Sequence, residues 1–293
     1  MTLKQQTLQI HPQLNAVLSS EAAQLLATGQ RCELPGGMIW HAWGPDNAPT
    51  FVLLHGGSGS WTHWIRNIEP LVAEGYRVLA VDLPGFGDSE APAKGCDADA
   101  LVEPLHAAWQ LMRRHDNNIL MGFSFGGMTA ALWLAQYPQD AQSLVMVGAP
   151  GFGLASPKRT PLKGWRHLAT EALQAQAHRH NLLGLMLHDE ANLDALALRL
   201  HVLNVVRDRM TRRRLSSTPV LVEAMPKITC PVHVIYGEFD AFYLERLPEV
   251  ERMFKQVTPN LVLWQLVEGM GHWVQYESPI EFHRALKHTL SLV

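Results

Sequence analysis

From residue 50 onward, short apolar runs alternate with longer stretches of helical periodicity. Phe51–Leu54 is an unbroken apolar run ending in His55-Gly56-Gly57. Such a run bounded by turn formers predicts a buried strand. A helix from about Thr62 to Glu74 follows, then a strand over Tyr76–Val81. Asp82-Leu83-Pro84-Gly85-Phe86-Gly87 is too rich in glycine and proline for a regular element and reads as a loop. The series continues with a helix near Ala98–Arg114, a strand over Asn118–Phe123, a helix over Phe125–Gln136 closed by Tyr137-Pro138, and a strand over Ser143–Val147. Upstream, residues 13–28 read as a helix, and 31–43 as a short strand pair turning at Pro35-Gly36-Gly37. Strand and helix in alternation, with short connections, predict an α/β fold whose mostly parallel sheet is flanked by helices on both faces.

The alternation stops after residue 151. Residues 152–226 contain amphipathic helical stretches rich in Leu, His and Arg, and no strand pattern. It resumes at Pro231–Tyr236 and again at Asn260–Leu266. The expected organisation is therefore a core domain of residues 1–151 and 227–293, with 152–226 inserted as a helical lid. Insertions into such sheets tend to leave from the loops that carry function.

Composition narrows the function classes. With 293 residues, 47% of them hydrophobic, the chain is long enough for one large core. A formal net charge of −3 provides no general field to recruit nucleic acid or an anionic membrane. The local basic run Arg207–Arg214 reads as a partly solvated helix face. Three scattered cysteines, Cys32, Cys96 and Cys230, are too few for a disulfide framework. No signal-peptide pattern or membrane-span pattern is visible, so a cytoplasmic location is expected. The 15 histidines are dispersed; His178 and His180 point to different faces of a helix, and no His-Glu-x-x-His pattern occurs. Neither a metal nor a cofactor is expected. The expected partner is a small-molecule substrate, with a homodimer as an open alternative to the monomer.

The chemistry-bearing pattern is Gly122-Phe123-Ser124-Phe125-Gly126, which matches G-x-S-x-G. An apolar strand precedes it and a helix follows, the context in which such a serine sits on a sharp turn as a nucleophile. Its hydroxyl needs a base, and the last strand delivers His272 in a Gly269-Met270-Gly271-His272 loop. Two carboxylates, Glu238 and Asp240, follow the preceding strand and both qualify as the acid that orients the base. Oxyanion donors are expected from the amide of Phe125, at a helix N-terminus, and from the His55–Gly59 loop, where Gly57 is favoured and Ser58 is the alternative. His55 itself is read as a loop-packing residue. Phe123, Trp165 and Trp273 are further candidates for the substrate pocket, together with Ser58 and Arg207.

Assembled, these residues resemble the α/β-hydrolase superfamily over essentially the whole chain: Leu54-His55-Gly56-Gly57, Asp82–Ser89, the turn at Ser124, Gly237–Asp240 and Gly271-His272. The resemblance implies an acid at the end of a G-x-x-D turn, which selects Asp240 and leaves Glu238 as a turn residue. The fold's other common acid location, after Ser143–Val147, holds only Gly148-Ala149-Pro150-Gly151. A narrower resemblance is to the meta-cleavage product hydrolases, which split a C–C bond in ring-opened dienoates. Trp64-Ile65-Arg66-Asn67-Ile68 and Gly271-His272-Trp273-Val274-Gln275 carry it. Where that group has Asn before the nucleophile, this chain has Phe123, and its carboxylate-binding lid arginine has Arg199, Arg207 and Arg209 as candidates. The leading expectation is a serine hydrolase acting on a small hydrophobic ester. C–C bond hydrolysis by the same residues is the alternative, and a non-catalytic ligand-binding relative is the remote one.

Overall fold

A computed structural model describes residues 20–154, 160–210 and 212–291. The part of the expected first helix before Ser20, and residues 155–159 and 211 of the expected insertion, lie outside the described residues.

Eight strands form one sheet: β1 (Gln30–Leu34), β2 (Met38–Trp43), β3 (Thr50–Leu54), β4 (Arg77–Asp82), β5 (Asn118–Phe123), β6 (Ser143–Val147), β7 (Val232–Gly237) and β8 (Leu261–Val267). Their spatial order is β1-β2-β4-β3-β5-β6-β7-β8. Strand β2 runs antiparallel to both neighbours, and every pairing from β4 to β8 is parallel. Every residue of β3 to β7 is buried, because helices cover both faces; this is why those strands are largely apolar.

Helix α1 (Ser20–Thr28) precedes the sheet. Between β3 and β4 the expected single helix is broken. Trp61–Trp64 forms a 3-10 turn capped by Ser60, and α2 starts only at Ile68 and ends at Ala73. The polar residues in the break bond outside it: Arg66 donates to Tyr276 O at 2.9 Å, and Asn67 Nδ2 donates to Gln275 O at 3.1 Å. Between β4 and β5, a 3-10 turn at Ala98–Leu101 leads into α3 (Val102–Met112). Helix α4 (Phe125–Gln136) follows β5 directly and is buried over most of its circumference, including Phe125, Met128, Trp133 and Leu134. Large side chains buried in this way each stabilise the fold by about 1.5–3 kcal/mol.

Between β6 and β7 the described residues form helices and turns only: α5 (Glu171–Leu185), α6 (Ala195–Val206) and α7 (Val220–Ala224), with intervening 3-10 turns. Asp194 caps α6 by accepting from Ala197 N at 2.7 Å. Helix α8 (Leu247–Val257) joins β7 to β8, and α9 (Val274–Glu277) and α10 (Pro279–Leu290) follow β8. The basic run Arg207–Arg214 differs from its expected form. Helix α6 ends at Val206, and the described residues of the run are turn and loop that bond to the core. Among the described residues no helix is long and apolar enough to cross a membrane.

Candidate active site

The strand order creates a crevice at the carboxyl ends of β3 and β5. The chain leaves β3 for β4 on one side and later enters β5 on the other, so the turns after β3 and β5 flank a topological switch point. Ser124 occupies the single-residue turn between β5 and α4, with φ 51° and ψ −118°. L-residues rarely adopt that conformation, and it persists only where the surroundings enforce it. Here Ser124 N donates to Val147 O at 2.7 Å. A Cβ on Gly122 would lie 2.4 Å from Gly126 O, and one on Gly126 would lie 2.4 Å from Leu54 O. Both glycines are steric requirements of the turn.

Asp240 and His272 meet at the ends of β7 and β8. Asp240 is fully buried and His272 is 1% exposed, with His272 Nδ1 2.7 Å from Asp240 Oδ2. A carboxylate only accepts, so the proton of that bond belongs to Nδ1, which in a neutral ring leaves the lone pair on Nε2. The second carboxylate oxygen of Asp240 accepts from Phe242 N at 2.9 Å. Glu238 takes a different role: its Oε2 accepts from Gly269 N at 2.9 Å at an exposed position, bracing the loop that carries His272. A Cβ on Gly148 would sit 3.1 Å from both Asp240 Oδ2 and the His272 ring, so the end of β6 packs flat against this pair. The Phe123 ring lies 4.9 Å from the His272 ring, which joins the β5 turn to the histidine loop. No hydrogen bond connects Ser124 Oγ to His272 among the described residues; contacts of this type tighten when substrate is bound.

Donors converge on the same crevice. Phe125 is the first residue of α4, where a backbone N–H has no intrahelical acceptor. In the β3 loop, Gly56 N already donates to His63 Nδ1 at 3.2 Å, whereas Gly57 and Ser58 are the half-exposed positions. Ser58 has φ 50°, and its hydroxyl donates to Asp208 Oδ2 at 2.5 Å.

The arginine at this loop is Arg213, which sequence reasoning did not single out. A Cβ on Gly57 would lie 3.4 Å from Arg213 Nη2. Its guanidinium stands 5.0 Å from the Phe86 ring centroid and 5.4 Å from that of Phe125. Two bonds of 2.9 Å tie it to both oxygens of Asp208. Burial opposes the charge on Asp208, but hydrogen bonds and attraction from Arg213 outweigh it and hold the carboxyl below its usual range. The acidic residue inside the basic run was the available signal for this pair.

Other candidates fall elsewhere. Arg207 pairs with Asp88 at 2.8 Å, Arg209 bonds to backbone carbonyls of the Phe86–Ser89 loop, and Arg199 is exposed on α6. The Trp165 ring lies 4.8 Å from that of His178, tilted by 45°, within the helical segment. Phe123 is fully buried among His63, Trp64 and His272, because the tight turn directs its ring beneath Ser124. Trp273 is 1% exposed, stacked on Tyr276, and donates to His63 O at 2.9 Å. A cavity of about 110 Å³ opens beside His272, lined by Leu183, Leu185, Leu187, Phe239 and Leu244 among others.

A sheet with one antiparallel strand near its edge, a strained serine at the switch point and an acid–histidine pair after β7 and β8 is the arrangement of the α/β hydrolases. The chain belongs to that family: residues 49–200 match the family model described as alpha/beta hydrolase fold. It is 29% identical over 256 residues to a 2-hydroxy-6-oxononadienedioate/2-hydroxy-6-oxononatrienedioate hydrolase of Cupriavidus pinatubonensis, a match covering 81% of this chain and 85% of that protein. It is 26% identical over 248 residues to a 2-hydroxy-6-oxo-6-phenylhexa-2,4-dienoate hydrolase of Comamonas testosteroni, covering 80% and 84% of the two chains. Among solved structures, a carboxylesterase of Bacillus subtilis superimposes with a TM-score of 0.74 at 21% identity, covering 93% of this chain and 95% of that one.

Proposed function

We propose that this protein is a serine hydrolase of small, uncharged carboxylic esters, with Ser124 as nucleophile, His272 as base and Asp240 as the acid that orients it. The observation that carries the mechanism is the strained Ser124 turn beside the buried Asp240–His272 pair at 2.7 Å. Ser124 Oγ attacks the ester carbonyl while His272 Nε2 accepts its proton. Asp240 fixes the tautomer and stabilises the imidazolium that forms. The amides of Phe125 and Gly57 receive the developing oxyanion. His272 then protonates the departing alcohol, and water releases the acyl group by the reverse sequence.

The choice of an uncharged substrate rests on Arg213. Its charge is compensated by Asp208 through two bonds, so a substrate carboxylate would have to displace an internal one. The second reading, C–C bond hydrolysis of a dienoate, is favoured by that arginine's position over Gly57 and by the relatives that match four-fifths of the chain. Labelling with a fluorophosphonate tests the mechanism: one adduct is expected, on Ser124, and none in Ser124→Ala. Turnover of p-nitrophenyl butyrate against a ring-fission dienoate tests the substrate. Faster consumption of the ester, little altered by Arg213→Met, is the expected result. A dienoate consumed far faster, with the rate lost in Arg213→Met, would replace the ester reading by the second one.

A further inference from the structure

Gly56, the first glycine after β3, has both of its backbone polar groups occupied by histidine side chains. His55 Nδ1 lies 2.7 Å from Gly56 O, and Gly56 N donates to His63 Nδ1 at 3.2 Å. The partners assign the tautomers. His55 Nε2 accepts from Leu83 N at 3.0 Å, so the His55 proton is on Nδ1 and is donated to Gly56 O. His63 Nδ1 is an acceptor, so a neutral His63 carries its proton on Nε2. Two imidazoles in opposite tautomers therefore grip the peptide units on either side of one glycine.

The loop between them has no slack. A Cβ on Gly56 would lie 2.9 Å from the Phe123 ring and 3.2 Å from Ser124 Cβ, and one on Gly59 would lie 2.3 Å from His63 Cε1. His63 also touches the other two parts of the site. Its ring is 5.4 Å from that of Phe123, the residue before Ser124, and 4.9 Å from that of Trp273, the residue after His272. Its carbonyl accepts from Trp273 Nε1 at 2.9 Å. We infer that His63 is a positioning residue: its neutral imidazole engages the Gly56 amide and so leaves the Gly57 amide as the β3-loop donor aimed at the substrate carbonyl. This rests on the serine mechanism proposed above.

The clamp works only with an uncharged ring, since protonated Nδ1 would oppose its hydrogen to that of Gly56 N. The groups facing His63 are the rings of His55, of His201 on α6 and of His272. Burial first, and then these imidazoles, keep its pKa well below the ordinary histidine value.

Two variants and one spectroscopic measurement test the inference. His63→Leu keeps bulk without an acceptor; His63→Asn restores an oxygen near the place of Nδ1. Loss of a well-placed oxyanion donor costs about 10²–10³ in rate. His63→Leu should therefore lower kcat on p-nitrophenyl butyrate about 10²-fold with KM changed by less than about threefold, and His63→Asn should recover most of the loss. In the unaltered protein, ¹⁵N shifts should show His63 protonated on Nε2 and His55 on Nδ1. Wild-type kcat in His63→Leu, equal losses in both variants, or a His63 protonated on Nδ1 would overturn the inference. If His63→Leu does not fold, the Asn variant and the ¹⁵N shifts decide. Absence of a fluorophosphonate adduct on Ser124 in the unaltered protein would overturn the serine mechanism and this inference together, whereas a labelled protein indifferent to His63→Leu overturns this inference alone.

Discussion

The two sides of the Ser124 crevice are held by different physics. On the sheet side, close contacts that leave no room for a Cβ fix the turns: Gly122 and Gly126 around Ser124, Gly56 against the Phe123 ring, and Gly237 against Gly271 O. On the side of the helical segment, polar side chains reach across. Glu277 Oε1 accepts from His188 N and Asp189 N at 2.8 Å each, and its Oε2 accepts from Gly271 N at 2.6 Å. Asp194 binds Arg66 and Tyr276, and Asn204 binds Ser60 and Thr62. A turn held by close packing has no nearby alternative state, whereas a segment held by discrete hydrogen bonds can be loosened one bond at a time. Ser124, Asp240 and His272 all sit on the first kind of structure.

The largest effect expected lies on the rigid side. Asp240→Asn keeps the shape of the acid but offers His272 the wrong partner, and in a triad that change lowers kcat about 10⁴-fold. Glu238→Gln, two residues away, removes only a brace on Gly269 and should leave kcat within about twofold. Steady-state hydrolysis of p-nitrophenyl butyrate measures both. Similar losses in the two variants would show that the two carboxylates were not distinguished by burial.

On the tethered side the expected effect is on stability. Glu277→Gln retains the side chain's shape but turns one acceptor into a donor facing backbone N–H groups. A hydrogen bond to a charged group contributes about 1.5–3 kcal/mol, so urea unfolding should show a loss of that order. If the segment is tethered as described, limited proteolysis should cut first near residues 188–192 in this variant. Cleavage elsewhere, or unaltered stability, would assign the anchoring to other contacts.

The same division explains what could be read in the chain. Burial on both faces writes strands β3 to β7 as largely apolar runs, and the sterics of the tight turn demand glycine at positions 122 and 126, so the sheet and the turn at Ser124 were legible. Asp240 needed the resemblance, because Glu238 is chemically equivalent until burial separates the two. The break between Trp64 and Ile68 depends on partners more than 200 residues away, Gln275 and Tyr276, and no local periodicity encodes it. Arg213 is equally long-range: a charge run looks the same whether it faces solvent or, with Asp208, the rings of Phe86 and Phe125. His63 carries no motif; its role follows from a bond to Gly56 that only the folded loop creates.

The effect expected to be smallest at neutral pH tests whether the two sides unfold together. Burial holds His55, on the sheet side, at about 4 against the opposing influence of Asp82, and holds His201, on α6, at about 3. Both are neutral in the folded protein, while an unfolded chain protonates them below about pH 6.5. The unfolded state then binds more protons, so stability falls as pH is lowered, by about 1.4 kcal/mol per pH unit for each such group. The His55 contribution is fully present above the unfolded value and stops changing below about pH 4; that of His201 stops changing below about pH 3. His201→Gln should therefore flatten the acid limb of the stability curve. If both sides form one cooperative unit, the flattening appears in the global urea transition between pH 6.5 and 4. If the helical segment opens alone, the global transition keeps its slope, and only the pH dependence of proteolysis within the segment changes.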